Sequence, residues 1–130
     1  MKRYVGILLY DEEKRFLLQQ RTADAPKHPG KFGTFGGKAE KGETPEMAVR
    51  RECMEELDYE LENPKLAFQT TLDTKYGKIA GFIFLEKYNP NKKLVLHEGE
   101  NMRWVSSKEF EDLDFIDSLK DIVSQMYNEI

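Results

Sequence analysis

The chain has 130 residues, which one domain accounts for, and carries 20 Lys+Arg against 24 Asp+Glu for a formal charge of −4. No run is basic enough to track a phosphate backbone, which argues against a reader of duplex DNA. The longest apolar stretch, Tyr4 to Tyr10, contains Gly6 and runs into Asp11-Glu12-Glu13-Lys14-Arg15; it is too short to cross a bilayer and lacks a leader's small-residue cleavage site. Cys53 is the one cysteine, so no internal disulfide forms, and with only His28 and His97 beside it a zinc cage would need carboxylates. The expectation is a cytoplasmic soluble protein without a membrane partner.

Arg3 to Tyr10 reads as a strand, and Phe16 to Gln20 as a second one after the polar turn Asp11 to Lys14. Thr22 to Gly42 contains Pro26, Pro29, Gly30, Gly33, Gly36, Gly37 and Gly42, leaving room only for a short strand over Phe32 to Phe35. A loop of that length usually has a function. Thr44-Pro45 starts a helix, because the threonine hydroxyl caps an orphan amide and proline at the first helical position forfeits no hydrogen bond. The helix is predicted to reach about Leu57, with Asp58 in the left-handed position that ends it.

Beyond it, Leu66 to Asp73 and Ile79 to Tyr88 read as strands joined by a turn at Lys75 to Gly77, and Asn89-Pro90-Asn91 breaks the second. Met102 to Val105 makes one more short strand. From about Phe115 to Ile130, the spacing of Ile116, Leu119, Ile122, Val123 and Met126 predicts an amphipathic helix closing over a sheet. The pattern is an α/β mixture (α+β) of strands with two helices in a single domain over residues 1–130.

The chemically informative residues lie on the first helix. At about 100° per residue, Glu56 falls roughly 40° from Glu52 and Glu55 roughly 60° to the other side, so three carboxylates share one arc. Val49, Cys53 and Leu57 form the adjacent stripe, suited to burial. Like charges at these spacings destabilise a bare helix by a few tenths of a kcal/mol per pair. The cluster is either a solvated acidic face or a site offset by a cation or by arginines. Hard divalent ions, Mg2+ above all, suit carboxylates on successive turns.

The string from Gly37 to Tyr59, GKAEKGETPEMAVRRECMEELDY, resembles the Nudix box. Gly37, Glu43, Arg51, Glu52, Glu55 and Glu56 stand at the spacings of that motif. Cys53 replaces its usual aliphatic residue and Asp58 its helix-ending glycine, and neither position is a metal ligand. The segments FLLQQRTADAP, FGTFGGKAEKGETPEMAV and EGENMRWVS extend the similarity to the MutT branch over most of the chain, although no proline stands between Phe35 and Gly36.

The resemblance implies an α/β/α sandwich with a mixed sheet between helices. It also implies hydrolysis of a nucleoside diphosphate linked to another group, with Mg2+ as cofactor and Mn2+ able to replace it. Carried onto this chain, Glu52 and Glu56 are the core metal ligands, Glu55 a further one, and the carbonyl of Gly36 faces the metal. Arg51 and Glu43 are the pair that orients the box. Glu98, ahead of the strand carrying Trp104, stands where the branch places a catalytic base, with Glu100 as competitor and His97 as a structural or exposed residue. Arg21, Thr34, Phe35, Gly36 and Gly37 border the nucleotide, and Asp117 either reads a purine or caps the last helix.

The substrate this favours is a (d)NTP or an oxidised purine nucleotide such as 8-oxo-dGTP, cleaved to monophosphate and pyrophosphate by a monomer or homodimer. Tyr76 stands where relatives acting on dinucleoside polyphosphates carry a tyrosine, which makes those substrates, or RNA 5′ ends, the alternative within the enzyme class. Its predicted place in a hairpin turn argues against that use. A non-catalytic nucleotide sensor is the alternative outside that class, and the retention of every box carboxylate speaks against it.

Overall fold

Strand β1 (Lys2–Tyr10) organises the molecule because its side chains are apolar on both faces. Val5, Ile7 and Leu9 point into one core and Leu8 into another, the alternation that a period of two imposes. Strand β2 (Phe16–Gln20) repeats it, with Leu17 on the first face and Phe16 and Leu18 on the second. The computed structural model, which describes Met1–Ile130, completes the sheet with β3 (Phe32–Gly33), β4 (Phe35–Lys38), β5 (Lys65–Thr74), β6 (Gly77–Lys87) and β7 (Asn101–Val105).

The sheet is mixed and open. β1 runs parallel to β6 over its whole length, while β2 and β4 are antiparallel to β1 and β5 is antiparallel to β6. The β1–β2 pair is joined by the predicted turn, where Asp11 accepts from the amides of Glu13 and Arg15. Helix α1 (Pro45–Leu57) buries Ala48, Val49, Cys53 and Leu57 against the first face. Helices α2 (Ser107–Phe110) and α3 (Asp117–Met126) cover the second with Phe110, Val123 and Met126. This is the expected α/β/α sandwich.

Several boundaries differ from the sequence reading. The single strand expected over Phe32 to Phe35 breaks at Thr34 into β3, paired with β2, and β4, paired with β1, so the two halves serve different neighbours. Helix α2 was not expected, although Ser106 and Glu109 form a reciprocal capping box that the sequence spells as Ser-x-x-Glu. The final helix starts at Asp117, so that residue occupies the first helical position while Ile116 holds the cap position. Tyr127–Glu129 continues as a 3-10 turn.

Candidate active site

Helix α1 starts as expected, with Thr44 Oγ1 accepting from Met47 N at 3.1 Å and Pro45 in the first turn. It ends at Asp58, which adopts φ 55° and donates its N–H to Met54 O. The last carbonyls are claimed by the segment before β7: Val95 N donates to Leu57 O at 2.9 Å and His97 N to Glu56 O at 2.8 Å. Orphan acceptors at a helix end thus fasten a distant loop. Gln19 Nε2 donates to Glu98 O at 3.0 Å from the other side, and Glu98 is thereby set beside Glu56. Glu100 is exposed, and only its amide, bonded to Gln20 O, is held.

Arg51 is the hub of the box. Its Nε and Nη2 donate to the two oxygens of Glu43 at 2.7 and 2.9 Å, its Nη1 to both oxygens of Glu55 at 3.1 Å, and its Nη2 also to Lys38 O at 3.2 Å. Glu43 accepts the amide of Glu40 as well. This fork holds the Glu43 carboxyl down at about 2. The loop ahead of α1 is therefore clamped to the helix by charge-assisted bonds.

Glu52 and Glu56 are less well compensated: Arg51 Nη1 lies 3.5 Å from Glu52 Oε1, and Glu56 is bonded to a backbone amide rather than to a cation. Glu56 is only 3 % exposed, accepts the Gly36 N–H at 2.8 Å, and has its carboxyl pushed far above the usual carboxylate range by burial and by Glu98 beside it. Burial also raises Glu52, with Glu55 and Glu98 adding to the effect and Arg51 opposing it. Glycines make room for this cluster. A Cβ on Gly37 would collide with Glu52 Oε1, and one on Gly36, which has φ 140°, would strike Val5 O. No three acidic, histidine or cysteine side chains are drawn together at ligating distance, because Glu55 is turned onto Arg51 and Glu56 onto Gly36. The chemistry of the donors still suits a hard divalent cation: Glu52 and Glu56 carry carboxylate oxygens whose ionisation burial opposes and a cation would favour.

A cleft of about 260 Å3 opens on the opposite face of the sheet and reaches this cluster at Gly36 and Gly37. Arg21 and Thr34 are among its lining residues, and Arg21 Nε is held on Lys27 O at 2.8 Å. Phe35 does not border it: this side chain is 1 % exposed and lies in the core under α1, because β4 turns it to the other face. Asp117 is also outside the lining. Its carboxylate is 93 % exposed and pairs with Lys31 at 3.5 Å, while Ser118 and Leu119 of the same turn form the wall.

Sequence reasoning missed Gly6, whose absent side chain leaves space for Thr34 and Ile83, and set Tyr76 aside as a turn residue. An isolated glycine inside an apolar strand was the available signal for the first. Tyr76 does sit in the β5–β6 turn, yet that turn folds over the cleft. Lys27 and Lys75 lie 4.9 and 5.3 Å from its ring centre, and His28 meets it edge-on.

The family model of the NUDIX domain matches residues 1–126, and the chain belongs to this family. It is a pyrophosphohydrolase of the Nudix hydrolase class. Among solved structures, the MutT protein from Methanosarcina mazei Go1 superimposes with a TM-score of 0.84 at 22% identity, over 98% of this chain and 93% of that one. The E. coli dihydroneopterin triphosphate pyrophosphohydrolase gives 0.81 at 17% identity over 98% and 96%. A C. elegans Ap4A hydrolase gives 0.75 at 22% identity over 100% of both chains. At such identities the likeness is one of fold, and these neighbours differ in substrate. No curated protein matches the sequence. No helix is long and apolar enough to cross a membrane.

Proposed function

We propose that the protein hydrolyses a nucleoside triphosphate, oxidised purine forms such as 8-oxo-dGTP included, to the monophosphate and pyrophosphate in the presence of Mg2+. The observation that carries this reading is the contact of Gly36 and Gly37 with the cleft on one side and with Glu56 and Glu52 on the other. A nucleoside in the cleft would hand its phosphates to the carboxylates across a backbone free of side chains.

In this reading Glu52 and Glu56 hold the metal, with Glu55 joining once it leaves Arg51. The bound ion would neutralise polyphosphate charge and lower the pKa of the attacking water. Glu98 takes the proton from that water, a role its place beside Glu56 supports. Arg51 and Glu43 position the box. Arg21 steers the phosphates or sugar, and Thr34 and Ser118 offer hydroxyls to the base. A purine contact from Asp117 requires its release from Lys31.

Tyr76 favours a second reading, in which the leaving group carries a further nucleotide that stacks on this ring at the mouth. The test is release of pyrophosphate or orthophosphate from (d)NTPs, 8-oxo-dGTP, ADP-ribose and dinucleoside polyphosphates with Mg2+, beside the Glu56→Gln variant. Turnover of one triphosphate that vanishes in the variant is expected. Nucleotide binding without turnover of any compound would leave the protein as a sensor.

A further inference from the structure

Strand β5 is the outer edge of the sheet, whose strands run in the order β3, β2, β1, β6, β5, and it pairs with β6 alone. It is ten residues long and contains no proline. A long edge is a template for a further strand, and proteins usually blunt it with charges, proline or bulges. Here the bulge at Ala67, between the pairings of Leu66 and Phe68, and the neighbouring Lys65 blunt only its first part. From Phe68 to Thr74 the ladder is regular, and Asp73 is the one charged residue.

The β5–β6 turn fixes which backbone groups of this edge are free. Thr74 and Gly77 close a two-residue hairpin loop and so exchange both ladder bonds. By alternation Phe68, Thr70 and Leu72 also bond to β6. The N–H and C=O groups of Gln69, Thr71 and Asp73 therefore point away from it, and none joins a backbone bond outside the ladder. One side chain touches them, Thr70 Oγ1 donating to Thr71 O at 3.3 Å. The side chains of Gln69, Thr71 and Asp73 are exposed. On the other face Leu72 and Thr74 line the cleft with Ile79 and Gly81, and the period of two puts Phe68 and Thr70 on that same side.

We infer that β5 pairs antiparallel with β5 of a second copy of this chain, about a two-fold axis at Thr71. That centre uses the whole regular stretch from Phe68 to Thr74. A centre nearer the start runs each strand into the other's bulge at Ala67, and one nearer the end runs off into the turn at Lys75. A centre on Asp73 also sets two carboxylates face to face. With the axis at Thr71, that residue meets its own copy, and Gln69 meets Asp73, an amide donor against a carboxylate, on both sides of the axis. These are the residues whose backbone groups point outward, so each such pair exchanges both of its N–H···O bonds. On the cleft face Thr70 meets Leu72 and Phe68 meets Thr74. Phe68 of the second copy thus stands next to Thr74, a residue of the cleft wall, and adds an apolar ring to that edge. A foreign peptide would satisfy the backbone alone; the match of this stretch with itself selects a second copy.

Sedimentation velocity of the full chain is expected to show a dimer whose fraction rises with protein concentration. Thr71→Pro removes an outward amide and leaves the β6 ladder intact, while Thr71→Lys sets two cations face to face. Each is expected to keep a cooperative melt and to weaken association by about tenfold or more. The register is read with a short bismaleimide on variants carrying one added cysteine, the native Cys53 being buried. Thr71→Cys is expected to cross-link with itself. Gln69→Cys is expected to link only when mixed with Asp73→Cys, since the two copies of residue 69 lie four strand residues apart, about 13 Å. A chain that stays monomeric at every concentration would overturn the inference, and so would Gln69→Cys linking to itself as fast as Thr71→Cys. A dimer that both Thr71 variants leave intact would place the interface elsewhere and refute the pairing. No readout here depends on turnover, so the outcome is independent of the proposed reaction.

Discussion

Gly36 and Glu56 lie twenty positions apart, and the amide of the first donates to Oε1 of the second at 2.8 Å. This one bond ties the floor of the cleft to the most buried carboxylate of α1. A buried carboxylate with Glu98 and a half-buried Glu52 beside it is an energetic liability unless a cation offsets it. Binding and folding are thus in tension at the same atoms.

That tension predicts the behaviour of Glu56→Gln. Glutamine keeps an acceptor for the Gly36 amide and removes a carboxyl that burial and Glu98 keep from ionising, a cost the unfolded chain does not bear. The variant is expected to be more stable than the wild type in EDTA, by on the order of 1–2 kcal/mol, while Mg2+-dependent turnover falls by about a hundredfold or more. Chemical denaturation with and without Mg2+ checks this, and a variant less stable than wild type in EDTA would refute it.

Gly37→Ala separates geometry from folding. The new methyl meets the carboxylate of Glu52, the end of a side chain that can move, and Gly37 has no left-handed backbone to strain. Activity is expected to fall by about 10²-fold through misplacement of Glu52, with little change in Tm. A large drop in Tm with kcat unaltered would show that Glu52 needs no such cradle.

The Glu43–Arg51 fork sets an acid limit. Since the Glu43 carboxyl is held at about 2 when folded against an ordinary value of 4.5, its contribution to stability is complete above pH 4.5 and is lost as the pH falls towards 2. Glu43→Gln is therefore expected to lower stability at pH 7 and to flatten its dependence on pH between 4.5 and 2. Melting curves over that range provide the readout, and parallel wild-type and variant profiles would contradict it.

Asp58 ends α1 with φ 55°, which glycine adopts at no cost and other residues adopt at about 1 kcal/mol. Its carboxylate lies 2.9 Å from His97 Nε2, an exposed contact of small value. Asp58→Gly is expected to raise stability by about 0.5–1 kcal/mol and to leave kcat within a factor of about two. Urea denaturation and steady-state kinetics test both halves, and a destabilised variant would assign the His97 contact greater weight.

Much of the molecule was legible before folding because its signals are local. The alternation in β1 and β2, the Thr44-Pro45 start, the left-handed Asp58 and the stripe of Val49, Cys53 and Leu57 depend on neighbours within a few residues. The box belongs to the same class: its acids and Arg51 share one helix, and Glu43 precedes it by a fixed short span. The short helix α2 was equally local and was missed only because its capping signal, Ser106 with Glu109, was not read.

The rest depended on contacts between distant segments. Thr34 divides β3 from β4 because β2 and β1 compete for the two halves, a choice no local spacing encodes, and the same turn of chain carries Phe35 into the core. Glu98 is set beside Glu56 by helix-end carbonyls and by Gln19, and Tyr76 overhangs the cleft because β5 and β6 extend together to that edge. The sequence by itself determined the helix that carries the acids and the class of chemistry they suit, since helical periodicity is a property of consecutive residues. Only the tertiary structure decided which glutamate outside the box joins them and which strand is left at the open edge of the sheet, since long-range proximity comes from sheet pairing between segments far apart in the chain.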